Sequence, residues 1–85
     1  MREEKVMIVD DEKDIVDFVR AYLHKEGYPT IEAYDGESAL RLWREHRPDL
    51  IVLDVLMPKL DGLGFCREVR KESEVPIIIH GHPYM

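Results

Sequence analysis

Three short runs of consecutive apolar residues constrain the fold of this chain more than any other feature. Val6–Val9, Leu50–Leu53 and Ile77–Ile79 are apolar at every position rather than at every second position. A strand with this pattern is buried on both faces, which is typical of a parallel sheet covered by helices on its two sides. The chain is therefore expected to fold as a layered α/β structure.

Helical patterns separate these runs. The first helix is expected to end at Gly27, because glycine readily adopts the left-handed conformation found at helix ends. Asp35 can cap a second helix that ends at Arg47 and Pro48, and Pro29–Tyr34 is predicted as a weaker strand before it. The inward-facing residues are expected to be Ile15, Phe18, Val19, Tyr22 and Leu23 in the first helix, Ala39, Leu40 and Trp43 in the second, and Phe65, Cys66 and Val69 in the third.

The alternation of strands and helices predicts a doubly wound parallel sheet with four strands and three helices. We expect the flavodoxin-like strand order 2-1-3-4, which places the first and third strands side by side. The 85 residues contain no internal repeat and no flexible linker, so residues 1–85 are interpreted as a single domain.

Charge and composition exclude several classes of function. The 18 acidic residues outnumber the 12 lysines and arginines, and a net charge of −6 disfavours direct binding to nucleic acid. The apolar runs are far shorter than the roughly 20 residues of a membrane span, and we expect no membrane association. The single cysteine, Cys66, excludes an internal disulfide and favours a cytoplasmic location.

Acidic residues follow two of the strands that are predicted to be neighbours. Asp10 and Asp11 come directly after the first strand, and Asp54 ends the third. Carboxyl ends of parallel strands meet at one edge of the sheet, where open α/β sheets bind ligands. Mutual repulsion of the three carboxylates would be relieved by Mg²⁺, which prefers oxygen ligands. The alternative is that Asp10 and Asp11 are solvated acids favoured by a helix dipole.

The segments Val6–Glu12, Asp54–Gly62 and Val75–Ile78 together resemble the receiver domain of bacterial two-component response regulators. The resemblance implies a phosphoacceptor switch rather than an enzyme, with a sensor histidine kinase as partner. It implies that Asp54 accepts the phosphoryl group, while Asp10, Asp11, Asp54 and the backbone carbonyl of Leu56 bind Mg²⁺. The residues implied to support the adjoining loop are Met57, Pro58, Asp61 and Gly62.

Beyond the fourth strand the sequence departs from this family. Gly81 stands where receivers carry a threonine or serine, and the last helix, strand and helix with their lysine are missing, so we expect a receiver truncated after the fourth strand. Residues 80–85 are interpreted as an atypical tail. His80 and His82 form an H-x-H pair that is expected to face solvent, because no further cysteine or histidine lies nearby.

Two alternatives to a phosphoacceptor remain at this stage. One is a receiver fragment that no longer switches and whose main property is self-association. It would form a homodimer through an uncovered sheet edge or face that includes Ile77, Ile78 and Ile79. The other is a small Mg²⁺-dependent phosphohydrolase, which is disfavoured because Val55 and Leu56 follow Asp54 where such enzymes carry a D-x-D motif.

Overall fold

The fold is a single parallel sheet with helices on both faces. A computed structural model describes residues 2–54 and 62–80. Its strands are β1 (Val6–Val9), β2 (Thr30–Ala33), β3 (Leu50–Asp54) and β4 (Ile77–His80), and its helices are α1 (Lys13–Lys25), α2 (Gly36–His46) and α3 (Gly62–Arg70). The strand order is β2-β1-β3-β4 with all pairs parallel, which confirms the predicted topology.

The helix boundaries follow the predicted signals closely. Asp35 caps α2, and its Oδ1 accepts a hydrogen bond of 2.7 Å from the backbone N–H of Ser38. Arg47 ends the same helix in the left-handed region, with φ of 46°, and its N–H donates to the carbonyl of Trp43. Gly27 has φ of 92° just beyond α1, so the glycine serves the chain reversal for which the sequence predicts it.

The main core lies between the sheet and the helices α2 and α3. Met7 and Val9 of β1 and Ile51 and Leu53 of β3 supply the sheet side of this core. The helices supply the other side through buried side chains that include Ala39, Trp43, Phe65 and Val69. All four residues of β1 are buried, as expected for a central strand covered on both faces.

The predicted inward face of α1 is wrong in part. Val16 is the buried residue of this helix, whereas Phe18 is 76% exposed, Tyr22 is 61% exposed and Ile15 is also exposed. The apolar residues of α1 form two stripes around the helix, and the stripe containing Val16 is the one that packs on β1 and β2. Periodicity alone does not show which of two adjoining stripes faces a sheet.

The two outer strands differ from prediction at their ends. Strand β2 spans Thr30–Ala33, so Pro29 and Tyr34 lie outside it. Strand β4 includes His80, one residue beyond the predicted end. In the described ranges 2–54 and 62–80, no helix is long and apolar enough to cross a membrane.

Candidate functional site

Asp10 is the deepest polar residue of the candidate site. Its backbone N–H donates to the carbonyl of Ala33 at 3.1 Å, which fixes the residue at the carboxyl end of β1. The side chain is fully buried, and Oδ1 accepts a hydrogen bond of 2.9 Å from the backbone N–H of Glu12. Oδ2 is also buried and has no hydrogen-bond partner within residues 2–54 and 62–80. A buried carboxylate oxygen without a donor is costly, so a cation or a proton at this atom would be favourable.

The structure brings Asp11 and Asp54 to the same place. Asp54 is the last residue of β3, and Asp11 follows Asp10; both are half-buried. One carboxylate oxygen from each of the three aspartates lies within 4.8 Å of the others. The adjacency of β1 and β3 produces this cluster, as predicted from the strand order.

The electrostatics of the cluster favour a bound cation. Burial raises the pKa of the Asp10 carboxyl, and the negative charges of Asp54 and Asp11 raise it further. The hydrogen bond from Glu12 and the nearby His80 oppose this rise in pKa. A divalent cation would offset two of the three negative charges and could bind Oδ2 of Asp10, so the residues present fit a metal with oxygen ligands.

His80 joins the site, although the sequence interpretation places it in a solvated tail. In the β3–β4 register His80 is paired with Asp54, and its Nε2 lies 3.9 Å from Oδ2 of Asp10. The signal that could have revealed this is strand alternation: extending β4 by one residue puts residue 80 on the same face as Ile78, beside the end of β3.

The remaining predicted site residues divide into two groups. Gly62 begins α3 and is buried, and Ile77 is half-buried against the core, whereas Ile78 and Ile79 are 54% and 51% exposed. The rest lie outside the described residues, namely Leu56, Met57, Pro58, Asp61, Gly81 and His82.

Comparison with known proteins identifies the family. Residues 6–82 match the response regulator receiver domain family. The chain belongs to this family. Receiver domains are signalling domains rather than enzymes, they generally bind Mg²⁺ at an acidic pocket, and the family implies an interaction with histidine kinases. This receiver has a cluster of three aspartates.

Similar sequences and structures agree with the assignment. The receiver is 49% identical over 79 residues to a probable transcriptional regulator ycf27 of Porphyridium aerugineum, covering 93% of this chain and 33% of the relative. The corresponding protein of Guillardia theta is 51% identical over 76 residues, covering 89% of this chain and 30% of the relative. The chain therefore spans about a third of the length of these relatives.

Solved structures confirm the receiver fold. The receiver domain of Francisella response regulator 1452 superposes with a TM-score of 0.83 at 37% identity, covering 91% of this chain and 64% of that one. Chemotaxis protein CheY4 of Vibrio cholerae gives a TM-score of 0.87 at 34% identity, covering 96% of this chain and 73% of that one. The four strands and three helices described above correspond to the receiver fold of these proteins.

Proposed function

We propose that this receiver is a phosphoacceptor of a two-component signalling pathway, with Asp54 as the residue that accepts the phosphoryl group. One observation carries the proposal. The carboxylates of Asp10, Asp11 and Asp54 converge within 4.8 Å at the carboxyl ends of β1 and β3, and Asp10 has a buried oxygen with no hydrogen-bond partner in the described part of the chain. Of the three, Asp54 is half-buried at the end of its strand, so it is more accessible to a donor than Asp10.

The reaction needs little covalent chemistry from the protein. A carboxylate oxygen of Asp54 forms a bond to phosphorus while the bond from phosphorus to the nitrogen of a phosphohistidine breaks. The imidazole keeps the bonding electron pair and takes a proton from solvent. The product is an acyl phosphate, which hydrolyses readily, so the signal is transient.

The other two aspartates are proposed as ligands of the cation. Asp10 and Asp11, together with Asp54 and the backbone carbonyl of Leu56, would hold Mg²⁺. When bound, this cation supplies positive charge that offsets the charge of the phosphoryl oxygens. The hydrogen bond from Glu12 fixes the Asp10 side chain, so the carboxylate is held in place before a cation arrives.

A small phosphodonor tests the proposal without a cognate kinase. Intact-mass measurement after incubation with acetyl phosphate and Mg²⁺ is expected to show one added phosphoryl group that hydroxylamine removes. Asp54→Asn should abolish the adduct, whereas Asp14→Asn, an exposed acid in the first turn of α1, should not. An adduct that persists in Asp54→Asn, or that forms equally well without Mg²⁺, would contradict the proposal.

Several finer points belong to the same proposal. We infer a sensor histidine kinase as donor, because the family implies one. The net charge of −6 disfavours direct binding of nucleic acid by these 85 residues, and the single cysteine, Cys66, favours a cytoplasmic location. Phosphorylation is expected to be slow, because Gly81 offers no hydroxyl to the phosphoryl group. Losing one such donor costs on the order of 10² to 10³ in rate at other preorganised sites.

Self-association is a second candidate property, and exposed side chains favour it. Ile78 and Ile79 of β4 are about half exposed, and β4 is the outer strand of the described sheet. Phe18 and Tyr22 add exposed apolar surface on α1. The comparisons with relatives and solved structures do not support self-association as the function, so it stays a physical expectation for the 85-residue chain, and a second copy is its expected occupant.

A further inference from the structure

The carboxyl end of β4 places a nitrogen ligand beside the acidic cluster. His80 is the last residue of β4 and is paired in register with Asp54. Its Nε2 lies 3.9 Å from Oδ2 of Asp10, the buried oxygen that has no hydrogen-bond partner among the described residues. The His80 side chain is 36% exposed, whereas that of Asp10 is fully buried.

The separation fits a bridging cation better than a direct hydrogen bond. A nitrogen and an oxygen 3.9 Å apart are too distant for a hydrogen bond. In zinc sites the metal lies about 2.0–2.1 Å from a histidine nitrogen and about 2.0–2.2 Å from a carboxylate oxygen, and tetrahedral geometry then puts the two ligand atoms about 3.4 Å apart. One ion can therefore bind both atoms once they approach each other by about 0.5 Å.

The added nitrogen changes which cation the site favours. Carboxylates alone suit Mg²⁺, whereas imidazole suits zinc, nickel, copper and iron. We propose that His80 is a further metal ligand of the acidic cluster, and that it gives this receiver a site for Zn²⁺ or a similar nitrogen-binding divalent cation. This inference rests on the proposed function only in using the same three aspartates as oxygen ligands.

A different role for His80 makes an opposite prediction. A protonated His80 would act as a counter-charge to Asp10, and a cation would then have to displace that charge. Removing the imidazole would in that case leave the affinities for Zn²⁺ and Mg²⁺ unchanged or raise both of them. The metal-ligand role instead predicts a loss that is selective for Zn²⁺.

Titration calorimetry with Zn²⁺ alone and with Mg²⁺ alone distinguishes these roles. His80→Val keeps a residue that suits a strand and removes the nitrogen. It is expected to lower the Zn²⁺ affinity roughly 10- to 100-fold, the loss seen even when an outer-shell partner of a metal site is removed. The Mg²⁺ affinity should change less than about threefold, because Mg²⁺ has little preference for imidazole.

Three further variants keep the test interpretable. His82→Val removes the other histidine of the H-x-H pair and should leave Zn²⁺ affinity unchanged, whereas Asp10→Asn should lower it. His80→Gln retains a polar side chain and should lose Zn²⁺ affinity as His80→Val does, which shows that the loss does not come from altered packing. Circular dichroism of each variant checks the fold.

The possible failures are separable. Equal or absent losses of Zn²⁺ and Mg²⁺ affinity in His80→Val, or a Zn²⁺ loss in His82→Val as large as that in His80→Val, would overturn the inference. If Mg²⁺ binding depends on Asp11 in an Asp11→Asn variant while Zn²⁺ binding does not depend on His80, only this inference fails. If Mg²⁺ binding is unchanged in Asp11→Asn, the acidic site of the proposed function fails.

Discussion

The three aspartates of the acidic cluster repel one another. Like charges within 4.8 Å repel each other, and one of the carboxylates is fully buried. Asp54→Asn removes one charge with almost no change in shape. We expect this variant to raise the free energy of unfolding of the metal-free chain by about 1 kcal/mol, a common size for a single stabilising substitution.

The same variant should respond less to Mg²⁺. Urea unfolding with and without Mg²⁺ measures both effects, and the cation is expected to stabilise the wild type more than Asp54→Asn. Asp14→Asn on the exposed start of α1 is the matched control and should behave like the wild type. A destabilised Asp54→Asn protein would show that repulsion within the cluster is not the dominant electrostatic effect there.

Glu72 is expected to make the stability of the contact between α2 and the turn after α3 depend on pH. Its carboxylate accepts hydrogen bonds of 3.0 and 3.1 Å from Arg44 and of 3.0 Å from Arg47, which tie α2 to the turn after α3. The hydrogen bond and charge of Arg44, with those of Arg47, lower the pKa of Glu72. A carboxyl with a lowered pKa stabilises the folded state above its unfolded pKa, and this contribution is lost as the pH falls through the folded value.

Glu72→Gln should therefore be less stable than the wild type at pH 7, and the difference should shrink below about pH 4, where glutamate becomes protonated. Both proteins contain Asp10, whose raised pKa acts in the opposite direction, so the difference between their stability curves isolates Glu72. Urea midpoints measured across this pH range check the prediction. A difference independent of pH would show that the carboxylate charge of Glu72 does not matter.

The sequence correctly predicted that Asp10, Asp11 and Asp54 lie close together. Each aspartate follows or ends a strand in the sequence, and the predicted strand order places those two strands side by side. The sequence did not predict that His80 lies beside Asp10. The geometry of that residue depends on how far β4 continues, and a polar residue after three isoleucines looks like the end of a strand. The sequence also could not predict that Oδ2 of Asp10 lacks a hydrogen-bond partner among the described residues, because this depends on the side-chain rotamer.

At the scale of elements, helix caps are the features that sequence predicts best. Asp35 caps α2 through hydrogen bonds from both the backbone N–H and the hydroxyl of Ser38. In contrast, Glu12 at the corresponding position of α1 makes no side-chain capping bond. We expect Asp35→Ala to lower the free energy of unfolding by about 1 kcal/mol, the usual cost of losing an N-cap.

Glu12→Ala is the matched control for Asp35→Ala and should change stability by less than about 0.5 kcal/mol, as is usual for surface positions. Chemical denaturation of both variants provides the comparison. Equal losses in the two proteins would contradict the assignment of the stabilising cap to Asp35.

Helix orientation was harder to predict than helix position. Val16 and Trp43 are both buried, but Phe18 and Tyr22 are not, although all four lie in apolar helical patterns. The difference comes from tertiary packing: α2 packs against both the sheet and the neighbouring α3, whereas α1 packs on β1 and β2 through one of its two apolar stripes. Sequence periodicity predicts that a stripe exists, and only the packing of the whole sheet selects which stripe is buried.

The topology of the whole molecule could be predicted from the alternation of strands and helices. The surfaces that remain exposed could not be predicted in this way. Ile78 on strand β4 is 54% exposed and Leu63 on helix α3 is 58% exposed, so a strand residue and a helix residue are exposed to a similar extent. Only Ile78 belongs to the outer strand of the described sheet, where unpaired backbone groups can join a second copy. Ile31, although apolar and on the opposite outer strand, packs against the core and is unsuitable as a control.

We expect the purified 85-residue chain to form a homodimer through the surface around Ile78, because pairing along β4 covers apolar side chains and backbone groups together. Ile78→Lys should raise the dimer dissociation constant at least about tenfold, equivalent to about 1.4 kcal/mol, because a lysine at the edge disfavours strand pairing. Leu63→Lys, which adds the same charge at a similarly exposed position, should leave the dissociation constant within about threefold of the wild-type value. Sedimentation equilibrium on the three proteins measures these constants. A wild-type chain that is folded and monomeric at micromolar concentration, or a Leu63→Lys protein that loses as much affinity as Ile78→Lys, would show that the outer strand is not the site of association.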